Sequence, residues 1–576
     1  MRLAVIQKEL CHPDKCGDLC GKLCPVNRQG VECIAIGKKA SIDASTCIGC
    51  GICPKRCPFG AISIINLPEE LDKDLLHKHG KNGFALYRLP MPRFGSVLGI
   101  LGKNGIGKST SLKILSGKMT PNLGYDSQDV ANERLRNYFR GSELLTYFEK
   151  LPNLKISIKP QNIFDLMQFD KVSDLLDQAG ANIDQKVKKE LIQDLAINSY
   201  IHKDMSKLSG GELQKVAIAV ACLKDADIYF FDEPLAYLDI VERIRVSDFI
   251  RKLVKNEKAV VVIDHDLLLL DYMTDLINIV YGKPSCYGII APMRASKNAI
   301  NSYLEGFLRD EQMKFRDKPI KFNFGVRDRE IGQTMFDWPA FTKSHAGFEI
   351  KVAAGSLAKK SIVGIAGKNA TGKTTFVKCL AGLYETDNKD LNLKLKFSHK
   401  PQYVNASEET VMEVLKKDNV NKRIISLLSL EPLMMRRLDQ LSGGELQKVA
   451  VASCLAKDAD IYLIDEPSAH LDVEERLQVA DAIQETMMEK EAGAFVVDHD
   501  ILFLSYLADS MIVFSGLPSR RGNSSEVYPV VQGLNELLKL LQITVRRDKE
   551  SGRPRINSKD SVLDREQREK GSWFAE

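Results

Sequence analysis

Two short stretches of this chain carry the residue types that hold phosphate. Gly102, Lys103, Asn104, Gly105, Ile106, Gly107, Lys108 and Ser109, followed by Thr110, match G-x-x-x-x-G-K-[ST], and Gly367, Lys368, Asn369, Ala370, Thr371, Gly372, Lys373 and Thr374, followed by Thr375, match it again. Glycines let backbone N–H groups close around phosphate oxygens, Lys108 and Lys373 would neutralise the β and γ oxygens, and the Ser109 and Thr374 hydroxyls would bind Mg²⁺. Downstream, apolar runs at 228–231 and 461–464 end in the acid pairs Asp232, Glu233 and Asp465, Glu466. Side chains alternate along a strand, so one carboxylate of each pair can serve the magnesium shell while the next faces an attacking water. Such pairs are usually solvated strand ends; the phosphate loops upstream favour chemistry.

The elements that must position these groups can be read around them. Each phosphate loop follows an apolar run (97–101 and 362–366) and precedes a helical pattern, as the motif requires. Between loop and acid pair lies Leu208, Ser209, Gly210, Gly211, Glu212 in the first half and Leu441, Ser442, Gly443, Gly444, Glu445 in the second, each opening a helical run whose N-terminus suits an anion. The same motifs recur in the same order, so the chain contains a duplicated domain. The LSGGE run between the phosphate loop and the acid pair resembles the signature of ABC-type ATPases, present twice. On that resemblance Gln161 and Gln402 belong to Q-loops, Asp239 and Asp472 to D-loops, and His265 and His499 to H-switches, in which Asp264 and Asp498 stand where the family usually has Glu. The family implies two cassettes facing head to tail. One composite site would combine Lys108, Ser109, Gln161, Asp232, Glu233 and His265 with Ser442 and Gly444. The other would combine Lys373, Thr374, Gln402, Asp465, Glu466 and His499 with Ser209 and Gly211, with Glu233 and Glu466 as the water-polarising bases. Adenine would stack on Phe84 or Tyr87 in the first cassette and on Phe348 in the second.

A different chemistry occupies the N-terminus, where nine of the 13 cysteines lie between Cys11 and Cys57. Cys47, Cys50, Cys53 and Cys57 with Pro58 reproduce C-x2-C-x2-C-x3-C-P, the run of bacterial ferredoxins. Cys11, Cys16, Cys20 and Cys24 with Pro25 form a looser run, and the whole resembles a two-cluster ferredoxin in which each run's fourth cysteine serves the other cluster. That resemblance implies one [4Fe-4S] cluster on Cys24, Cys47, Cys50 and Cys53 and another on Cys11, Cys16, Cys20 and Cys57, leaving Cys33 over. Zinc sites and a disulfide framework compete; the C-x2-C-x2-C triplet favours iron, and nothing implies export. Residues 1–60 hold nine Lys/Arg against five Asp/Glu, an excess of +4 that offsets clusters of about −2 each.

The two halves differ in one respect. From the loop lysine to the signature serine is 101 residues in the first copy and 69 in the second, so the first carries about 32 more. An aromatic-rich stretch at 137–148, centred on Gly141, reads as two short amphipathic helices that could meet RNA or protein. Residues 546–559 hold six basic and two acidic residues, able to reach phosphates or the acidic faces of the domains.

At 576 residues the chain has room for about four domains, and its 44% hydrophobic and 27% charged residues are ordinary for a folded protein. A net charge of +5 singles out no nucleic-acid partner. No apolar stretch nears the roughly 18 residues of a membrane span, which excludes transport by this chain alone, and Arg2, Lys8 and Glu9 surround an apolar block too short for a secretory signal. The fold class expected is α/β: two ABC-type P-loop ATPase domains in tandem after a small α+β ferredoxin-like domain. Boundaries are placed at 1–75 for the iron-sulfur domain, 76–280 for the first cassette with an insertion near 134–150, 281–315 for a hinge, 316–516 for the second cassette, and 517–576 for a second hinge and the C-terminal segment.

The combination resembles the ABC E subfamily of ribosome-recycling ATPases, the RNase L inhibitor family. The resemblance implies ATP-driven closure that moves the iron-sulfur domain and splits ribosomes, with a link to initiation. Implied partners are ribosomal subunits, a release factor or its ribosome-rescue paralogue, and initiation factors. It also implies a monomer that pairs its own cassettes, located in the cytoplasm and also the nucleus. An ATP-coupled electron-transfer protein and a transporter's cassette subunit are the alternatives.

Overall fold

The computed structural model describes residues 2–7, 10–43, 46–66, 74–80, 83–125, 132–160, 162–181, 183–254, 257–322, 332–345, 347–387, 395–401 and 407–575. Gln161 and Gln402 lie outside them. Strands Arg2–Ile6 and Ile62–Asn66 pair antiparallel and bring the two ends of the cysteine-rich unit together. Between them a hairpin of Ile34–Ile36 and Ala40–Ile42 and short helices carry the cysteines, packed with Ala4, Ile6, Ile34, Ile42 and Ile62 into a core of their own.

Each repeat forms a mixed sheet with one and the same strand order. In the first it runs Leu75–Lys78, Ala85–Tyr87, Tyr287–Ile290, Leu276–Lys283, Val97–Gly102, Ala259–Ile263, Ile228–Asp232 and Ile156–Ile158. In the second it runs Phe341–His345, Phe348–Val352, Arg521–Ser524, Ser510–Leu517, Ile362–Gly367, Gly493–Val497, Ile461–Asp465 and Phe397–Lys400. The strand delivering each phosphate loop sits between parallel neighbours on both sides, and Val97–Gly102 and Ile362–Gly367 are buried at every residue. That burial on both faces explains why these strands read as unbroken apolar runs rather than alternating ones. Loops at the carboxyl ends of such strands form the binding crevice of open α/β sheets.

Helices Asn132–Tyr138 and Glu143–Lys150 meet at Gly141, whose φ is +80°. Their aromatic face turns inward. Phe139 and Tyr147 are buried, the Tyr147 hydroxyl donates to Leu115 O at 2.5 Å, and Tyr138 and Phe148 pack around them. The face left for a partner is polar, with Arg134, Arg136 and Arg140 exposed.

The basic C-terminal stretch is tied down rather than free for phosphates. Strands Val545–Arg547, Pro554–Ile556 and Phe574–Ala575 form a small sheet against the first cassette. Arg553, fully buried, pairs with Asp271 at 2.9 Å, and Arg555 pairs with the same carboxylate at 2.6 Å. Asp271 lies in Leu267–Met273, the helix after the first H-switch, so the last segment of the chain grips the first cassette. Removing the anion would leave the buried Arg553 guanidinium without a carboxylate and Arg555 with only Asp548 at 3.9 Å, a loss that typically costs about 3 kcal/mol or more. Asp271→Asn should therefore lower the thermal unfolding midpoint measurably, whereas Asp310→Asn, at an exposed carboxylate paired with Arg294, should barely move it.

Candidate functional site

The phosphate loops close on themselves through their lysines. Lys108 Nζ donates to Gly102 O and Lys103 O, both at 2.7 Å, and Lys373 Nζ donates to Gly367 O and Lys368 O, both at 2.8 Å. Gly107 and Gly372, with φ of +97° and +102°, turn each loop into helices Lys108–Leu115 and Lys373–Leu380. Seating each loop takes a further glycine that no local motif marks: a Cβ at Gly288 would lie 2.0 Å from Ile106 O, and one at Gly522 1.9 Å from Thr371 O. Ser109 Oγ donates to Asp232 at 3.0 Å and Thr374 Oγ1 to Asp465 at 3.3 Å, so each hydroxyl and carboxylate pair shares a spot fit for a divalent cation.

The second acid of each pair sits on strained backbone. Glu233 and Glu466 both have φ of +47°, a left-handed geometry that a non-glycine residue adopts only when its surroundings impose it. Those surroundings are visible: the Glu233 N–H donates to Ile263 O at 2.8 Å, and Gln214 of the signature helix Gly210–Cys222 donates to Glu233 O at 2.7 Å. Glu466 repeats this with Val497 O and Gln447. Burial and then the neighbouring Asp232 push the Glu233 carboxyl up, and burial followed by Glu466 pushes Asp465 up to about 6. His265 Nε2 stands 3.7 Å from Glu233 and His499 Nε2 3.4 Å from Glu466. All four ring nitrogens are buried without a hydrogen-bond partner, a poor state for imidazoles unless a ligand oxygen meets them. Burial, then Lys108, holds the His265 pKa well below its ordinary value, so the ring is neutral.

Asp264 and Asp498 do structural work at the H-switches. Asp264 accepts the N–H groups of His265 at 2.7 Å, Asp266 at 3.0 Å and Leu235 at 3.2 Å, and Asp498 accepts those of His499 at 2.7 Å, Asp500 at 2.9 Å and Ser468 at 3.1 Å. The short side chain brings its oxygens back onto its own backbone, which fixes the histidine.

The halves meet at the loops. Asp472 accepts the N–H of Asn104 at 3.2 Å, Asp239 accepts that of Asn369 at 2.8 Å, and Arg476 donates to His265 O at 3.2 Å across the same boundary. A cleft of about 630 Å³ is lined from one half by Lys108, Ser109, Asp232 and Glu233 and from the other by Ser442 and Gly444. Ser209 and Ser442 each cap the signature helix in a reciprocal box with Glu212 and Glu445, leaving the N-terminal amides in place. Phe84 lines the cleft beside His79, its ring over Gly107 and Gly288, while Tyr87 is buried in the core among Val97 and Leu101 and faces away from it. Phe348 stands over Gly372 and Gly522 as Phe84 does over its pair. His79, Ser285 and His470 also line the cleft, and no motif announced them.

The cysteines fall into two sets. Cys24, Cys47, Cys50 and Cys53 line one small cavity together with Cys33, whereas Cys16 and Cys57 sit close enough to Cys11 and Cys20 to add to the upward push that burial gives those two thiols. Burial, then the charges of Cys47 and Cys50, pushes the Cys53 thiol up to about 12, so thiolates gathered here need cations. Among the described residues no three His, Cys, Asp or Glu groups converge on one ion. The unit touches the first cassette directly: Gln7 Nε2 donates to Pro284 O at 3.2 Å, and the adjoining Ser285 N–H donates to Gly105 O of the phosphate loop at 2.9 Å.

Comparison with known proteins agrees. The chain matches the family described as ABC transporter over residues 93–236 and 350–469, the possible Fer4-like domain in RNase L inhibitor, RLI, over 1–32, and the 4Fe-4S binding domain over 40–63. It is 40% identical to ABC transporter E family member 1 of Arabidopsis thaliana, across 100% of this chain and 98% of that one. The chain belongs to the ABC E family, the RNase L inhibitor family. Another member, translation initiation factor RLI1 of Saccharomyces cerevisiae, is 38% identical over 100% of this chain and 98% of its own. A structure of ribosome-bound archaeal Pelota and ABCE1 aligns with a TM-score of 0.94 and 44% identity over 100% of this chain and 99% of that one. The complex of archaeal ribosomal stalk protein aP1 with the ribosome recycling factor aABCE1 aligns at 0.81 and 42% over 88% and 100%. As an ABC E family protein the chain is an ATP hydrolase, and its ferredoxin-like domain is of the iron-sulfur type. Among the described residues no helix is long and apolar enough to cross a membrane.

Burial lowers the pKa of both Lys108 and Lys373 to about 8, against the pull of Asp472 and Asp239 from the opposite halves. Each ammonium is present below that pH and lost above it, and a triphosphate needs the cation. Nucleotide affinity, followed by fluorescence titration from pH 7 to 9.5, should stay level to about pH 8 and then fall by up to tenfold per pH unit.

Proposed function

We propose that this chain is a ribosome-recycling ATPase, in which ATP closes two cassettes and the closure moves the iron-sulfur domain to part the ribosomal subunits. The reciprocal seam carries this reading: each D-loop carboxylate grips the opposite phosphate loop, so ATP held at a loop can favour the closed pair. The chain Gln7, Pro284, Ser285, Gly105 supports a head that follows the first loop.

In this reading Glu233 and Glu466 polarise the attacking waters, and Asp232 with Ser109 and Asp465 with Thr374 hold Mg²⁺, which when bound neutralises charge on the transferring phosphoryl group. His265, as a neutral donor, and His499 meet the γ-phosphate. Gln161 and Gln402 belong to the same sites on sequence grounds. Ser442 and Gly444 close over the first nucleotide, Ser209 and Gly211 over the second. Phe84 takes the adenine of the first site, in place of Tyr87, and Phe348 that of the second. Cys24, Cys47, Cys50 and Cys53 hold one [4Fe-4S] cluster and Cys11, Cys16, Cys20 and Cys57 the other, as stiffeners of the head rather than electron carriers. Of the domain limits read from the sequence, 1–75, 76–280, 281–315, 316–516 and 517–576, those at 280/281 and 516/517 cut strands Leu276–Lys283 and Ser510–Leu517, so the first cassette reaches at least Ile290 and the second at least Ser524. The partners are ribosomal subunits, a release factor or its rescue paralogue, and initiation factors, met in the cytoplasm and also the nucleus by a monomer. The names of its relatives, which include a translation initiation factor and a ribosome recycling factor, support this.

Two measurements test it. Glu233→Gln with Glu466→Gln should cut ATP turnover by at least about 100-fold while nucleotide still binds, as expected when a general base is removed; undiminished turnover would remove both glutamates from that role. In sucrose gradients, 70S or 80S particles given this protein, ATP and release factor should split into subunits, and the same protein carrying Cys53→Ser should lose iron and fail to split them.

A further inference from the structure

Among the described residues, one cluster of charge at the seam exists in the first nucleotide site and has no counterpart in the second. Lys103, the second residue of the first phosphate loop, places Nζ 2.6 Å from Glu474. Glu474 lies at the start of helix Val473–Lys490, in the opposite cassette, two residues after Asp472. Its other oxygen is held by Arg316, with Nε at 2.7 Å and Nη2 at 2.5 Å. Arg316 lies just past the hinge 281–315, after strand Met313–Lys314, and packs back onto that hinge. It donates to Tyr303 O at 2.6 Å and Leu304 O at 3.2 Å, at the end of helix Ser296–Glu305, and its guanidinium lies over the rings of Tyr303 and Phe315 at 4.9 and 5.6 Å. The side chains of Lys103, Glu474 and Arg316 are 32%, 18% and 11% exposed, so the three charges are half-screened to nearly buried.

The duplication supplies an internal control. Lys368 repeats Lys103, but Val241 stands two residues after Asp239 where Glu474 follows Asp472. Lys368 has no ion pair among the described residues and is exposed. Lys103 and Glu474 belong to opposite cassettes, so their pair exists only when the first site is shut. Lys103 O also accepts from Lys108 Nζ, the group that meets the phosphates, at 2.7 Å. Phosphate that draws Lys108 away from Lys103 O resets the backbone on which the Lys103 side chain depends.

We propose that Lys103, Glu474 and Arg316 form a positioning relay that couples shutting of the first nucleotide site to the hinge behind it, and that its absence makes the second site close independently of that hinge. The proposal rests on the composite-site reading above. The relay does not touch nucleotide; it acts through the phosphate-loop backbone and through the hinge.

The test uses the full, iron-loaded chain without ribosomes, and reads each site alone. In the Glu233→Gln background occluded, unhydrolysed radiolabelled ATP reports the first site, and in the Glu466→Gln background it reports the second. Adding Glu474→Gln should reduce occlusion at the first site by about fivefold, the effect of a half-buried ion pair, and leave the second unchanged. Lys103→Met removes the same pair while keeping Glu474 on Arg316, and should give the same loss; Lys103→Arg should restore most of it. Val241→Glu should raise occlusion at the second site by giving Lys368 a partner. Equal effects at both sites, no effect at either, or no gain from Val241→Glu would overturn the relay while leaving the composite sites standing. Failure of the parent backgrounds to occlude ATP at all would overturn the composite sites and the relay with them.

Discussion

The seam between the halves depends on one small interaction made twice: a carboxylate at the N-terminus of a helix accepts the backbone N–H of the opposite phosphate loop. Asp472 and Asp239 each also cap their own helix, through Glu475 N–H at 3.0 Å and Glu242 N–H at 3.0 Å. One oxygen of each is therefore fixed by its own cassette and the other points across. Burial raises the cost of that charge, and the N–H groups of Asn369, across the seam, and of Glu242, on its own helix, outweigh it and hold the Asp239 pKa below its ordinary value. Everything that makes the sites composite follows from this pairing.

Acid and base groups within each cleft are held against their natural preferences. The sheet presents Glu233 and Glu466 on left-handed backbone at the carboxyl ends of fully buried strands, the signature-helix glutamine locks that turn, and histidines fixed by their preceding aspartates face them without other partners. Strain, raised carboxyl pKa and unpartnered imidazole nitrogens concentrate where phosphate chemistry would occur, the expected pattern for a site prepared in advance of its ligand.

Sequence reasoning saw the groups whose spacing is imposed locally. A phosphate loop must have its glycines, lysine and hydroxyl within eight residues, so both loops, both acid pairs and both signature serines are legible, and so is the duplication. It could not see groups that act across the fold. Gly288 and Gly522 are needed only because a distant loop carbonyl presses against them, and no local pattern marks that. Phe84 and Tyr87 are three residues apart in one strand region, and only the twist and pairing of that edge decide which reaches the cleft. The aromatic hairpin was recognisable as two helices around Gly141, but its apolar face meets Leu115 rather than a partner, a matter of tertiary packing. Likewise six basic residues near the C-terminus could serve phosphates or an acidic face of the domains, and only the fold shows that Asp271, some 280 positions earlier, claims two of them. Short-side-chain Asp264 and Asp498 read as departures from a pattern, and their fit becomes evident only when the backbone amides they collect are traced.

The path from the cysteine-rich unit to the first phosphate loop crosses the 284–285 turn through main-chain atoms: Gln7 reaches a carbonyl, and the next residue's amide reaches another. Carbonyls are common to every residue and N–H groups to all but proline, so side chains at this turn can drift through evolution while the mechanical link is preserved, and few point substitutions other than Ser285→Pro will sever it. Altering the length of the turn, which slides every amide out of register, is the change to which such a linkage is vulnerable.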